Sequence, residues 1–210
     1  MSIADRFSAI RNKIADQAKL IAVSKTQSAE KIQAALDCGH LLFGENRVQE
    51  AKLHWSEHRK NHTDLELHLI GPLQTNKAKE AVALFDIIQT IDRKNLVDAL
   101  AKEQEKQNRN LKYFIQVNTG AEEQKAGIGI EEFPALLKYA QGKGLNIIGL
   151  MCIPPVDENP QPHFDLLRKL AGENNLKELS MGMSDDFETA INCGATYVRI
   201  GSALFGAREA

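Results

Sequence analysis

Eight short apolar runs alternate with amphipathic segments along this 210-residue chain, and that alternation restricts the possible folds more than any other feature. The runs are Leu20–Ser24, Leu41–Gly44, Leu65–Ile70, Asp86–Thr90, Leu111–Asn118, Leu145–Met151, Glu178–Met181 and Tyr197–Ile200. Between them apolar residues recur at helical spacing over about Ala29–Cys38, Asn46–Lys60, Lys77–Leu84, Lys94–Gln107, Ile130–Gln141, Gln161–Glu173 and Asp185–Cys193. Several of these segments carry acids early and bases late, as the helix dipole favours. Strict alternation implies parallel strands joined by crossover helices. Eight such units close a (β/α)8 TIM-type barrel. An open doubly wound sheet would share the alternation, but the loop after the first run reads Ser24-Lys25-Thr26-Gln27-Ser28 and lacks the G-x-G-x-x-G of a dinucleotide site. Ahead of the first run, Ile3, Phe7, Ile10 and Ile14 stand at helical spacing among charges. They predict an extra N-terminal amphipathic helix covering one end of the barrel, not a secretion signal. No linker or repeat divides the chain, so residues 1–210 read as one domain.

Charge and cysteine usage exclude several classes of function. Lys and Arg number 26 against 28 Asp and Glu, a net charge of −2, which leaves no polybasic field for nucleic acid or an anionic membrane. No apolar stretch approaches the length of a membrane span. Cys38, Cys152 and Cys193 are an odd set without C-x-x-C spacing, which fits a reducing compartment and small core residues. The expectation is a soluble cytoplasmic protein, monomeric because its alternating pattern closes its own core.

In such a barrel the C-terminal strand ends form the active rim. Lys25 closes the first run there, where an ammonium is costly to desolvate and a neutral amine becomes a nucleophile toward carbonyls. The loops after the last two runs resemble a phosphate cup. Gly201 lets backbone approach an anion, Ser202 opens a short segment whose amides can point at it, and Ser184 adds a hydroxyl from the neighbouring loop.

Five motifs carry a resemblance over nearly the whole chain: Ala22-Val23-Ser24-Lys25-Thr26-Gln27, Phe43-Gly44-Glu45-Asn46-Arg47-Val48-Gln49-Glu50, His68 through Lys77, Leu179 through Ser184, and Val198 through Gly206. In these the sequence resembles the pyridoxal phosphate homeostasis proteins, the YggS/PROSC family. The resemblance implies a barrel like the pyridoxal phosphate (PLP)-binding half of bacterial alanine racemase, with PLP held as a Schiff base on Lys25. It also implies cofactor phosphate on Ser184, Gly201 and Ser202, Asn46 lining the site, and Arg199 near the pyridine ring. Ser28 and Arg47 depart from the commoner proline and tyrosine of relatives, away from those contacts.

PLP stabilises carbanions best when its ring nitrogen is protonated, and a cationic Arg199 there favours the unprotonated form. Alanine racemase adds a tyrosine base from a further domain, which this sequence is not expected to have. Tyr113, Tyr139 and Tyr197 read as packing residues. The expected function is therefore intracellular PLP (vitamin B6) homeostasis by reversible Schiff-base exchange with free PLP and client apoenzymes, with no catalytic residue assigned. A PLP-dependent amino-acid racemase or lyase is the alternative. His54, His58 and His62 recur at four-residue spacing, but among Trp55, Glu57, Arg59 and Lys60 they read as a solvated helix face, so no metal ligand is assigned.

Overall fold

In the computed structural model, which describes residues 1–122 and 124–206, eight parallel strands close a barrel in strict chain order. They are β1 Lys19–Val23, β2 Leu42–Glu45, β3 Glu66–Leu69, β4 Ile87–Ile91, β5 Lys112–Gln116, β6 Asn146–Met151, β7 Glu178–Ser180 and β8 Tyr197–Ile200. The helices are α1 Ile3–Ile14, α2 Ala29–Asp37, α3 Val48–Trp55, α4 His58–Asn61, α5 Ala78–Leu84, α6 Lys94–Lys106, α7 Phe133–Gly142, α8 Pro160–Glu173, α9 Phe187–Asn192 and α10 Ser202–Phe205. The ring is sealed where β1 meets β8, in register from Lys19 opposite Tyr197 to Ala22 opposite Ile200. The expected (β/α)8 TIM-type barrel is thus the observed fold.

Strand alternation sorts side chains into two compartments. Leu20, Ala22, Val198 and Ile200 join the large core between sheet and helices, whereas Ile21, Ile87, Phe114, Met151 and Tyr197 pack inside the barrel. Parallel sheets must be covered on both faces, and the apolar stripes of the helices cover the outer one.

Three expectations change. The segment 46–60 is not one helix: α3 stops at Trp55 and α4 begins at His58. Ser56 Oγ donates 2.6 Å back to the Lys52 carbonyl, the local competition that weakens helices at serine. His54, His58 and His62 therefore do not share one helix. Lys25 lies two residues beyond β1, which ends at Val23, and sits in a turn. The N-terminal helix does not lie across a barrel end. It packs against α2, α9 and α10, filling the outer-ring place that the one-turn α10 leaves beside the β1–β8 seam. A capping box between Ser2 and Asp5 starts α1, and Phe7, Ile10 and Ile14 form its buried stripe. The Phe7 ring lies 5.0 Å from His40 and 6.0 Å from Phe205.

His40, walled in by Phe7 and Phe43, bonds the Leu42 carbonyl through Nε2 at 2.7 Å, and burial pushes its pKa down to about 4. The unfolded chain binds a proton here near pH 6.5 that the folded chain refuses until about 4, so this residue costs stability as pH falls through that window. His54 acts in the opposite sense, because its pKa is raised by hydrogen bonding to Glu45. Replacing His40 with the non-titrating Gln should make urea-unfolding free energy less pH-dependent, by about 2 kcal/mol between pH 7 and 5. An unchanged pH slope would show that His40 is not held neutral.

Candidate functional site

The residues expected to form a site, Lys25, Asn46, Ser184, Arg199, Gly201 and Ser202, all line one cleft of about 260 Å³ at the C-terminal rim of the barrel. Val23, Ile70, Ile153 and Met183 supply its apolar walls. Each polar group reaches the cleft for a local reason. Lys25 occupies a turn closed by Gln27 N donating to the Ser24 carbonyl at 3.1 Å. Asn46 follows β2, and its backbone is crossed so closely that a Cβ on Gly71 would lie 2.3 Å from the Asn46 carbonyl oxygen. Only glycine permits that crossing.

Ser184 does not cap α9. Asp186 stands before the helix and accepts the Met183 amide at 2.6 Å, leaving the Ser184 hydroxyl to face the loop after β8. There Ser202 Oγ donates to Ser184 Oγ at 3.1 Å, and the Ala203 amide points at the same oxygen from 3.5 Å. A Cβ on Gly201 would meet only Val23, at 3.4 Å, and φ there is −117°. The fold itself therefore makes little demand for glycine at this position.

Arg199 enters from inside the barrel and is 4% exposed. Its guanidinium donates to Ser180 Oγ and to the Cys152 carbonyl, both at 2.9 Å, and among the described residues no carboxylate is in ion-pair contact with it. Burial lowers its pKa, but arginine remains charged across the physiological range. A directed column of hydrogen bonds continues below it. Ser180 Oγ donates to Gln89 Oε1 at 2.6 Å, Gln89 Nε2 to His68 Nδ1 at 2.8 Å, and His68 Nε2 to Glu66 Oε1 at 2.6 Å. Burial depresses the pKa of His68, so it serves as a neutral relay, while the bond from His68 holds Glu66 below the usual carboxylate range. Gln89 was not foreseen, although a glutamine between Ile88 and Thr90 in a run otherwise fit for a core is the available signal.

Outside the sheet, below Lys25, Glu45 is fully buried. One of its oxygens accepts from Ser24 Oγ at 2.7 Å, His54 Nδ1 at 2.9 Å and Trp55 Nε1 at 3.0 Å. The tyrosines lie elsewhere. Tyr113 OH bonds Gln104, Tyr139 OH bonds Asp98, and Tyr197 packs against His68 and Phe114 inside the barrel. None of the three lines the cleft.

The class of this barrel is defined by a family model, "Alanine racemase, N-terminal domain", which matches residues 1–209. A pyridoxal phosphate homeostasis protein of Aquifex aeolicus is 45% identical over 202 residues, covering 91% of this chain and 88% of that protein. The Escherichia coli K12 protein of the same name is 39% identical over 206 residues, covering 92% of this chain and 87% of its own. PipY of Synechococcus elongatus, solved with and without PLP, is 37% identical and covers 98% of this chain and 100% of its own. It superimposes with a TM-score of 0.91 in the PLP-free form and 0.87 in the PLP-bound form. The chain belongs to the pyridoxal phosphate homeostasis protein family.

The column beneath Arg199 predicts a stability effect at a residue outside the cleft lining. Ser180→Ala removes an acceptor from a buried guanidinium and a donor from Gln89, which should cost about 2–3 kcal/mol in urea unfolding. A loss below about 0.5 kcal/mol would mean that Arg199 is satisfied some other way.

Proposed function

We propose that this chain binds PLP in the rim cleft as a Schiff base on Lys25 and serves intracellular PLP homeostasis. The carrying observation is the convergence of an amine, a pair of hydroxyls beside a bare glycine backbone, and a buried cation on one cleft. The residues fit the cofactor at each end. Ser184 and Ser202, with the first amides of α10 and the Gly201 backbone, make a donor-rich cup suited to a phosphate, with exposed Asp185 the one acid among the described residues on the cleft lining. The tolerance of the fold for a methyl at Gly201 supports a ligand, not packing, as the reason for glycine there. At the other end the Lys25 nitrogen replaces the aldehyde oxygen of PLP, which leaves as water, and hydrolysis reverses the attachment. Asn46 lines the wall between them.

Arg199 supports carriage over turnover. Its column supplies a fixed positive charge and no acid, so a pyridine nitrogen facing it receives no proton and the bound cofactor is a weak electron sink. No tyrosine lines the cleft to act as a second base. The family's naming as homeostasis proteins agrees with that chemistry. Among the described residues no helix is long and apolar enough to cross a membrane. We place the protein in the cytoplasm as a monomer that exchanges PLP with client apoenzymes, a reading supported by the closed core and the free cysteines.

Borohydride treatment of the PLP-loaded protein should fix label on the peptide containing Lys25, and Lys25→Ala should abolish both the label and the visible absorbance. Label on another lysine would overturn the assignment. Weaker, non-covalent PLP binding should survive in that variant. Ser184→Ala should weaken PLP retention by about 1.5–3 kcal/mol, as loss of a charge-assisted hydrogen bond does, with little effect on pyridoxal lacking the phosphate. Incubation with L-alanine in deuterated water tests the enzymatic alternative, since a racemase must exchange the α-proton. Rapid exchange would replace the carrier reading with catalysis.

A further inference from the structure

We propose that Glu50 is a positioning residue for Lys25, holding the amine-bearing turn in a backbone conformation that its sequence disfavours. The inference rests on the reading of Lys25 as the PLP attachment point.

Lys25 and Thr26 are the two central residues of the turn closed by Gln27 N and the Ser24 carbonyl. Thr26 has φ of 59°, in the left-handed region. A positive φ at the second central position is the setting that turns normally fill with glycine or asparagine, and a β-branched residue there is an outlier. Strained backbone of this kind persists only where surrounding structure enforces it, and it clusters at functional sites. The enforcing contact is visible. The Thr26 amide donates to the carboxylate of Glu50, across from the loop after β1 to the first turn of α3.

An acid in the first turn of a helix would ordinarily be assigned to the helix dipole alone. Here its hydrogen bond goes to a residue 24 positions earlier in the chain. Thr26 is exposed, so water could satisfy its amide. The carboxylate is thus not needed to rescue a buried donor, and its effect is to fix orientation. The other flank of Lys25 is tied in the same way, by Ser24 Oγ to buried Glu45. Glu45, Glu50 and His54 bring polar atoms within 4.8 Å of one another, and His54 bonds Glu45, which places a basic ring beside two acids. Both neighbours of the amine-bearing residue are therefore anchored to the β2–α3 corner. Without that tie the turn is free to relax from the positive φ at Thr26, and the residue bearing the amine is held less firmly relative to the cup formed by Ser184 and Ser202.

The test uses the full chain with PLP as probe, reading borohydride-trapped label on the Lys25 peptide, PLP affinity from the Schiff-base absorbance, and the thermal midpoint. Glu50→Ala should weaken Schiff-base formation by about tenfold, the scale of one hydrogen bond to a charged acceptor, with the protein still folded. Glu50→Gln keeps an oxygen for the Thr26 amide and should retain most of the parent affinity. Thr26→Gly combined with Glu50→Ala should recover affinity, because glycine takes positive φ without strain. That recovery is a result that a merely structural glutamate would not give. Glu50→Ala within twofold of the parent, or no recovery in the double variant, would overturn the proposal while leaving Lys25 as the attachment point. A parent protein that traps no label on Lys25 would overturn the reading of the site and this inference with it.

Discussion

Closure of the sheet between its first and last strands is the constraint on which everything else rests. β1 and β8 pair over the register Lys19 with Tyr197 to Ala22 with Ile200, and an open sheet would leave both with unpaired backbone groups. The seam also carries the chemistry to one place. It sets the turn holding Lys25 beside the loop holding Gly201 and Ser202, although Gly201 lies 176 positions after Lys25 in the chain. The N-terminal helix completes the seam from outside, because α10 is a single turn and cannot cover the apolar faces that β8 and β1 present. An apolar stripe of Phe7, Ile10 and Ile14 is thereby recruited into the outer core beside the seam.

Inside the barrel the usual filling of branched aliphatic side chains gives way, over part of its height, to a polar column. A guanidinium with no carboxylate in contact among the described residues is tolerable in that interior only because neutral acceptors are aligned to receive its N–H groups. Every donor in the column has one acceptor in the same direction, from Arg199 through Ser180, Gln89 and His68 to Glu66. Such an arrangement fixes the rotamers of all five residues together. The positive charge at the cleft is consequently rigid as well as permanent, and this same property limits the electrophilic power of a ring placed against it.

Much of this was legible in the linear pattern, and the failures have identifiable causes. All eight apolar runs became strands because hydrophobic periodicity reports burial directly. The break of the segment 46–60 at Ser56 was missed, since one serine hydroxyl turning back to a carbonyl leaves the apolar spacing intact. The place of the N-terminal helix was also misjudged. Its amphipathic stripe declares that it packs, but not against what. Lys25, Ser184, Gly201 and Ser202 can be found from residue chemistry at strand ends, whereas the roles of Asn46 and Arg199, also at strand ends, rest on motif resemblance. Glu50 lies in one of the matching motifs, but it reads as an ordinary first-turn acid until the turn after β1 is brought against it.

The sequence by itself determined the number and order of the strands, the class of barrel, and which rim carries the polar residues, because each of these follows from local periodicity and chain order. Tertiary structure alone decided which polar groups meet. The column from Arg199 to Glu66 joins strands β3, β4, β7 and β8, and the tie from Glu50 to Thr26 joins the first turn of α3 to the loop after β1. Those contacts depend on the stagger of a closed parallel sheet and on the angle at which α3 returns to it. Neither quantity is encoded in any one segment; both arise only when all eight strands are paired.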